Sequence, residues 1–178
     1  KVSTAEDTSP IGNLHQEATN LFKEKRYDEA LVILNKIIAS KPDFLPAHFM
    51  KANLLANEAK YEEAISELKR IISIDNLFTE AHYHLGVLSC KKGDFKEAIK
   101  EFRHVEYLNP NIALAYYNLG NIYLSLKQYG EAKREFQNTL KLLEGRPKDE
   151  VVTFSDTITV DLLTRACNKN LQNLKSLK

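Results

Sequence analysis

The sequence predicts an all-α fold: a right-handed superhelical solenoid of four helical hairpins, closed by one further helix. Three observations predict it. Four phrases recur, "RYDEALVIL", "KYEEAISEL", "DFKEAIKEF" and "QYGEAKREF", and their alanines, Ala30, Ala64, Ala98 and Ala132, stand 34 residues apart every time. Helix breakers are scarce, with six glycines and five prolines in 178 residues, which disfavours a turn-rich all-β chain. The end of the chain carries a single apolar stripe at helical spacing.

Composition bounds the function before any motif is read. The chain is 43% hydrophobic and 28% charged, an ordinary globular balance. Its formal net charge of +1 gives no reason to expect nucleic acid or an anionic membrane as partner. No run of about 18 apolar residues exists to span a bilayer. Cys90 and Cys167 show no metal-type spacing and are expected as free, reduced thiols in a cytoplasmic protein. The first residue is not methionine and "KVSTAEDTSP" is polar and aperiodic. Residues 1–10 are therefore expected to be a linker, and the chain a piece of a longer protein.

A period of 34 with an aromatic, a Glu-Ala pair and an apolar residue four after the alanine resembles the tetratricopeptide repeat (TPR), a helix–turn–helix unit. With each alanine at repeat position 20, the units are 11–44, 45–78, 79–112 and 113–146. Small residues follow at position 8 (Ala18, Ala52, Gly86, Gly120), aromatics at position 17 (Tyr27, Tyr61, Phe95, Tyr129) and apolar residues at position 24 (Leu34, Leu68, Phe102, Phe136). Small side chains at positions 8 and 20 let the two helices of a unit, A and B, approach closely. The aromatics and apolar residues fill the layer against the next unit. No unit can bury its apolar face alone, so the units must stack.

The resemblance implies that the A helices line a concave surface through positions 5, 9, 12 and 13, which share one helix face. Position 5 holds His15, Phe49, Tyr83 and Tyr117. Position 9 holds Thr19, Asn53, Val87 and Asn121. Position 12 includes Leu124. An aromatic ladder with amides one turn on suits an extended or helical peptide, because an amide offers a backbone both a donor and an acceptor. In "AYYNLGNIY", Tyr116 falls at position 4 on the packing stripe and Tyr117 at position 5 on the groove stripe. The expectation is that Tyr116 serves stability and Tyr117 serves binding. The carboxylate clamp of TPR co-chaperones is not expected, since His15 and Thr19 stand where that clamp needs a lysine and an asparagine.

Other chemistries find no support. His82 and His84 are about 200° apart around a helix and cannot easily share a metal ion. His48 and His82 occupy one repeat position and are expected as partly buried packing residues. Glycines fall at repeat positions and not in a phosphate loop, and no nucleophile–base spacing is present. No cofactor and no enzymatic activity are expected of these residues.

After the fourth unit, residues 147–158 read as a connection with an apolar patch at Val151, Val152 and Phe154. Residues 159–178 read as a closing helix with Thr159 as its N-cap. Its stripe is Val160, Leu163, Cys167, Leu171 and Leu174. Capping the last open face is the expected role, and folding into the groove is the other. The phrase Ser155-Asp156-x-x-Thr159 also resembles the closing segment of TPR regions attached to CheR-type chemotaxis methyltransferases, which would make the chain their regulatory or docking part. Self-association through an open solenoid end is a third possibility, so the partners expected are a protein or peptide ligand and a second copy.

Overall fold

The computed structural model describes residues 9–176; the expected linker lies outside them as far as residue 8. Among these residues the helices are α1 (Pro10–Lys23), α2 (Tyr27–Ser40), α3 (Leu45–Asn57), α4 (Tyr61–Ile74), α5 (Thr79–Lys91), α6 (Phe95–Leu108), α7 (Ala113–Ser125), α8 (Tyr129–Leu143) and α9 (Val160–Ser176). Strand pairing among them is limited to an isolated antiparallel bridge between Val151 and Thr159. The described residues form two compact bodies, divided between residues 81 and 82 and named below by the ranges 1–81 and 82–178. In the first, α1 packs on α2, α2 on α3 and α3 on α4; in the second, α6 packs on α7, α7 on α8 and α8 on α9.

The first helix starts at Pro10, one residue inside the stretch expected to be linker. Ser9 caps it, its hydroxyl accepting from the Gly12 N–H at 3.0 Å, and proline at the first helical position needs no partner for an N–H it lacks. Every A helix then ends in the same way. Repeat position 15 holds Lys25, Ala59, Gly93 and Lys127, with φ of 62°, 59°, 79° and 60°. This left-handed residue lets the next N–H reach back to a carbonyl five residues earlier: Arg26 to Leu21, Lys60 to Leu55 and Asp94 to Ser89 at 2.9 Å, Gln128 to Tyr123 at 2.8 Å. These bonds satisfy carbonyls that the helix leaves orphaned. Only the third repeat uses glycine there.

Helices A and B meet closely at positions 8 and 24. A Cβ added to Gly86 would lie 2.9 Å from Cε1 of Phe102, and one added to Gly120 would lie 2.6 Å from Cε1 of Phe136. The two repeats with glycine at position 8 are the two with phenylalanine at position 24. The two repeats with alanine carry leucine, as Ala18 with Leu34 and Ala52 with Leu68. All four large partners are at most 1% exposed. A small residue and a large one thus share one fixed volume, the condition of close packing.

A second pairing joins A to B through positions 4 and 23. His48 Nδ1 lies 2.6 Å from Glu67 Oε2, and His82 Nδ1 lies 2.6 Å from Glu101 Oε2. The other nitrogen of His48 reaches the Pro42 carbonyl at 2.9 Å. In the fourth repeat the carboxylate at position 23, Glu135, is fully buried and is held by Arg103 at 2.7 Å, Arg134 at 2.9 Å and Asn138 at 3.0 Å. In the first repeat the same two positions are Leu14 and Ile33, both in the apolar cluster of that body.

The tail is ordered. Val152 is buried, and its N–H donates to the Ile158 carbonyl at 2.9 Å. The Ser155 hydroxyl accepts from the N–H groups of Thr157 and Ile158, closing a turn. Thr159 then caps α9, accepting from Leu162 N–H at 3.3 Å. The serine and threonine of the Ser-Asp-x-x-Thr phrase thus shape the entry to the last helix. Val160, Leu163, Cys167 and Leu174 are buried, and Leu171 is half-buried beside them.

Candidate binding faces on the A helices

In the body of residues 1–81, the A-helix face opens as a cleft of about 430 Å³. His15 and Phe22 reach it from α1, Phe49, Met50 and Asn53 from α3, and Glu80 from the first turn of α5. Phe78 meets Phe49 at a tilt of 46°, with ring centroids 5.5 Å apart. The geometry follows from helical spacing: positions 5, 9 and 12 lie one turn apart on one side of each helix. His15 packs edge-on against Phe44, at 5.5 Å. Burial lowers its pKa below the ordinary histidine value, partly opposed by the Pro46 backbone, so the ring is neutral at pH 7. Its Nε2 is buried without a hydrogen-bond partner. Thr19, expected on the same face, instead donates its hydroxyl to the His15 carbonyl one turn back, at 2.8 Å. Phe22, Met50, Phe78 and Glu80 complete the cleft. Phe22 and Met50 sit at repeat positions 12 and 6 of the groove stripe, so spacing alone points to them. Phe78 and Glu80 come from the turn and first turn of the following unit, which a single-helix pattern does not reveal.

In the body of residues 82–178, the same positions are covered by the chain's own tail. Tyr83 is 6% exposed, under Phe154, whose ring lies 4.9 Å away at 36°. Its hydroxyl accepts from Asn118 Nδ2 at 3.3 Å, and burial pushes its pKa up to about 12. Val87 and Cys90 pack against the same cluster. Tyr117 is half-buried, with Phe136 5.9 Å away. It and Leu124 pack against the cluster of Cys167 and Leu174, which α9 supplies. Asn121 accepts from Asn170 Nδ2 of α9 at 3.2 Å. The expected assignment of Tyr117 to binding alone is not what the fold builds: Tyr117 packs, because a helix follows the fourth repeat and lies against it.

Phe154 reaches Tyr83 with a φ of +69°. That region costs a non-glycine residue about 1–2 kcal/mol, so the contacts made by the ring outweigh a backbone penalty.

Nothing in either face suggests chemistry on a substrate. Burial pushes the Cys90 thiol up to about 11 and the Cys167 thiol up to about 12, away from the reactive thiolate. Among the described residues, no group of three or more His, Cys, Asp or Glu side chains is placed to hold a metal ion. No helix there is long and apolar enough to cross a membrane.

Family models place this geometry. Three of them, described as tetratricopeptide or TPR repeats, match residues 21–88, 88–127 and 113–145. No curated protein matches the sequence. Among solved structures, a crystal structure of MamA is similar, with TM-score 0.73 and 20% identity over 78% of this chain and 81% of that one. MamA from residue 41 to its end, from Desulfovibrio magneticus RS-1, gives TM-score 0.71 and 17% identity over 94% of each chain. At such identities the likeness is one of fold.

Proposed function

Because this chain belongs to the tetratricopeptide-repeat family, we propose that it is a protein-interaction module and engages a protein segment, a peptide or a helix, on the A-helix face of its first two repeats. One observation carries the choice of face. Phe49 and Asn53 border a cleft, while Tyr83 and Asn121, at the same repeat positions, lie against Phe154 and Asn170 of the tail. A pocket of 300–1,000 Å³ lined by aromatic groups with a few polar ones is the usual form of a binding site. The peptide-binding residues of this reading are therefore His15, Phe49 and Asn53, with Phe22 and Glu80.

The test is retention of a partner protein by the immobilised chain. Phe49→Ala and Asn53→Ala should each weaken retention at least tenfold, and Lys96→Ala, exposed on α6, should not. Equal retention by all three variants would remove this face from the function.

A further inference from the structure

Among the described residues the same repeat face occurs twice, once covered by the tail and once bordering a cleft. We infer that the cleft of residues 1–81 takes an extended peptide carrying an aromatic side chain with a cationic side chain beside it. This rests on the assignment of that face as the binding surface, and it adds the chemistry of the occupant.

The aromatic part comes from internal equivalence. At position 5 of the third repeat, Tyr83 is covered by a phenylalanine, and the chain accepts a left-handed backbone at Phe154 to place that ring. At position 5 of the second repeat, Phe49 offers the same kind of surface, flanked by Phe22 and Phe78. Stacked or edge-on aromatic pairs gain beyond their area burial, so a ring is favoured there over an aliphatic side chain. At position 9 the parallel continues. Asn121 is bonded by an amide of the tail, whereas the Asn53 amide has no hydrogen-bond partner among the described residues. The Asn53 amide suits the N–H and C=O groups of an extended backbone.

The cationic part comes from charge complementarity. Glu80 is the one charged side chain among those lining the cleft, and it makes no salt bridge among the described residues. His15 adds no positive charge to offset it. A lone carboxylate on the rim of an apolar cleft attracts a cation and repels an acidic neighbour.

The experiment selects a random dodecapeptide display library on the full chain, with Phe49→Ala, Asn53→Ala and Glu80→Gln as variants whose folding is checked by circular dichroism. Enriched peptides should carry Phe, Tyr or Trp with Lys or Arg within two residues. A synthetic copy of one should bind at least tenfold more weakly when its aromatic residue is replaced by alanine. Glu80→Gln should erase the preference for Lys over Ala and leave the aromatic preference. Peptides that need Phe49 and Asn53 but lack an aromatic residue, or prefer an acidic neighbour, would overturn this inference and leave the binding face standing. Selection indifferent to Asn53→Ala and Glu80→Gln, or no enrichment, would overturn both, even if Phe49→Ala fails to fold. A concentration-dependent dimer abolished by Asn53→Ala would assign the cleft to a second copy and overturn the peptide.

Discussion

His82 Nδ1 and Glu101 Oε2 lie 2.6 Å apart, inside the hairpin of α5 and α6, with both side chains about 5% exposed. The same pair recurs one repeat earlier as His48 and Glu67, and its place in the first repeat is taken by Leu14 and Ile33. The molecule therefore contains a polar and an apolar solution to one contact. Removing one partner of a buried pair leaves the other uncompensated, while replacing both by packed apolar residues is often neutral. His82→Leu alone should cost about 3 kcal/mol. The double variant His82→Leu with Glu101→Ile should recover most of that in urea unfolding; a double variant as unstable as the single would mean the pair is needed as such.

Gly120→Ala should destabilise the fourth repeat by about 1–3 kcal/mol, because its new methyl group collides with the Phe136 ring. Adding Phe136→Leu restores the alanine–leucine combination of the first two repeats. The double variant should melt above Gly120→Ala alone, and a lower melting point would count against shared volume as the reason for the pattern.

The four turns at position 15 give opposite expectations for the same substitution chemistry. Ala59→Gly and Lys127→Gly should each stabilise by about 1 kcal/mol, since glycine enters φ near +60° without a Cβ penalty. Gly93→Ala should destabilise by a similar amount. Thermal midpoints moving the other way in these exposed turns would refute a backbone cause.

Acid should unfold the chain through three carboxylates. Burial alone would raise Glu67, Glu101 and Glu135, but His48 with Lys51, His82 with Lys100, and Arg103 with Arg134 outweigh it and hold all three below the ordinary glutamate value. A depressed carboxylate contributes stability that is present above its unfolded pKa of about 4.3 and lost as pH falls through its folded pKa. Stability measured between pH 7 and pH 3 should therefore drop below about pH 5, and Glu101→Gln should flatten that drop. Glu106 has the opposite sign, raised by burial despite Arg103, so it opposes the trend weakly.

Tyr117→Ala should cost stability as well as any contact with a ligand. Its ring packs with Phe136 and the cluster that α9 completes, so about 2–4 kcal/mol is expected from truncating it. A variant with unchanged melting temperature would restore Tyr117 to a purely binding role.

The repeat was legible in the sequence because it is a local matter. A period of 34 sets which residues share a helix face, and helix faces follow from backbone geometry alone. Positions 8, 20 and 24 could be read as packing for that reason, and the terminal stripe from Val160 to Leu174 could be read as the buried side of a last helix. The partners of the groove positions were not legible. Phe49 and Tyr83 are equivalent in register, yet one borders a cleft and the other lies under Phe154, because contacts across 71 residues of chain depend on where the tail returns. The carboxylates at position 23 were likewise invisible as partners of position 4, since spacings of 19 residues are joined only when A folds back on B. The sequence by itself determined the helices, their repeat and the faces they present. Tertiary structure decided which of those faces remain open, because closing a face requires segments far apart in the chain to meet.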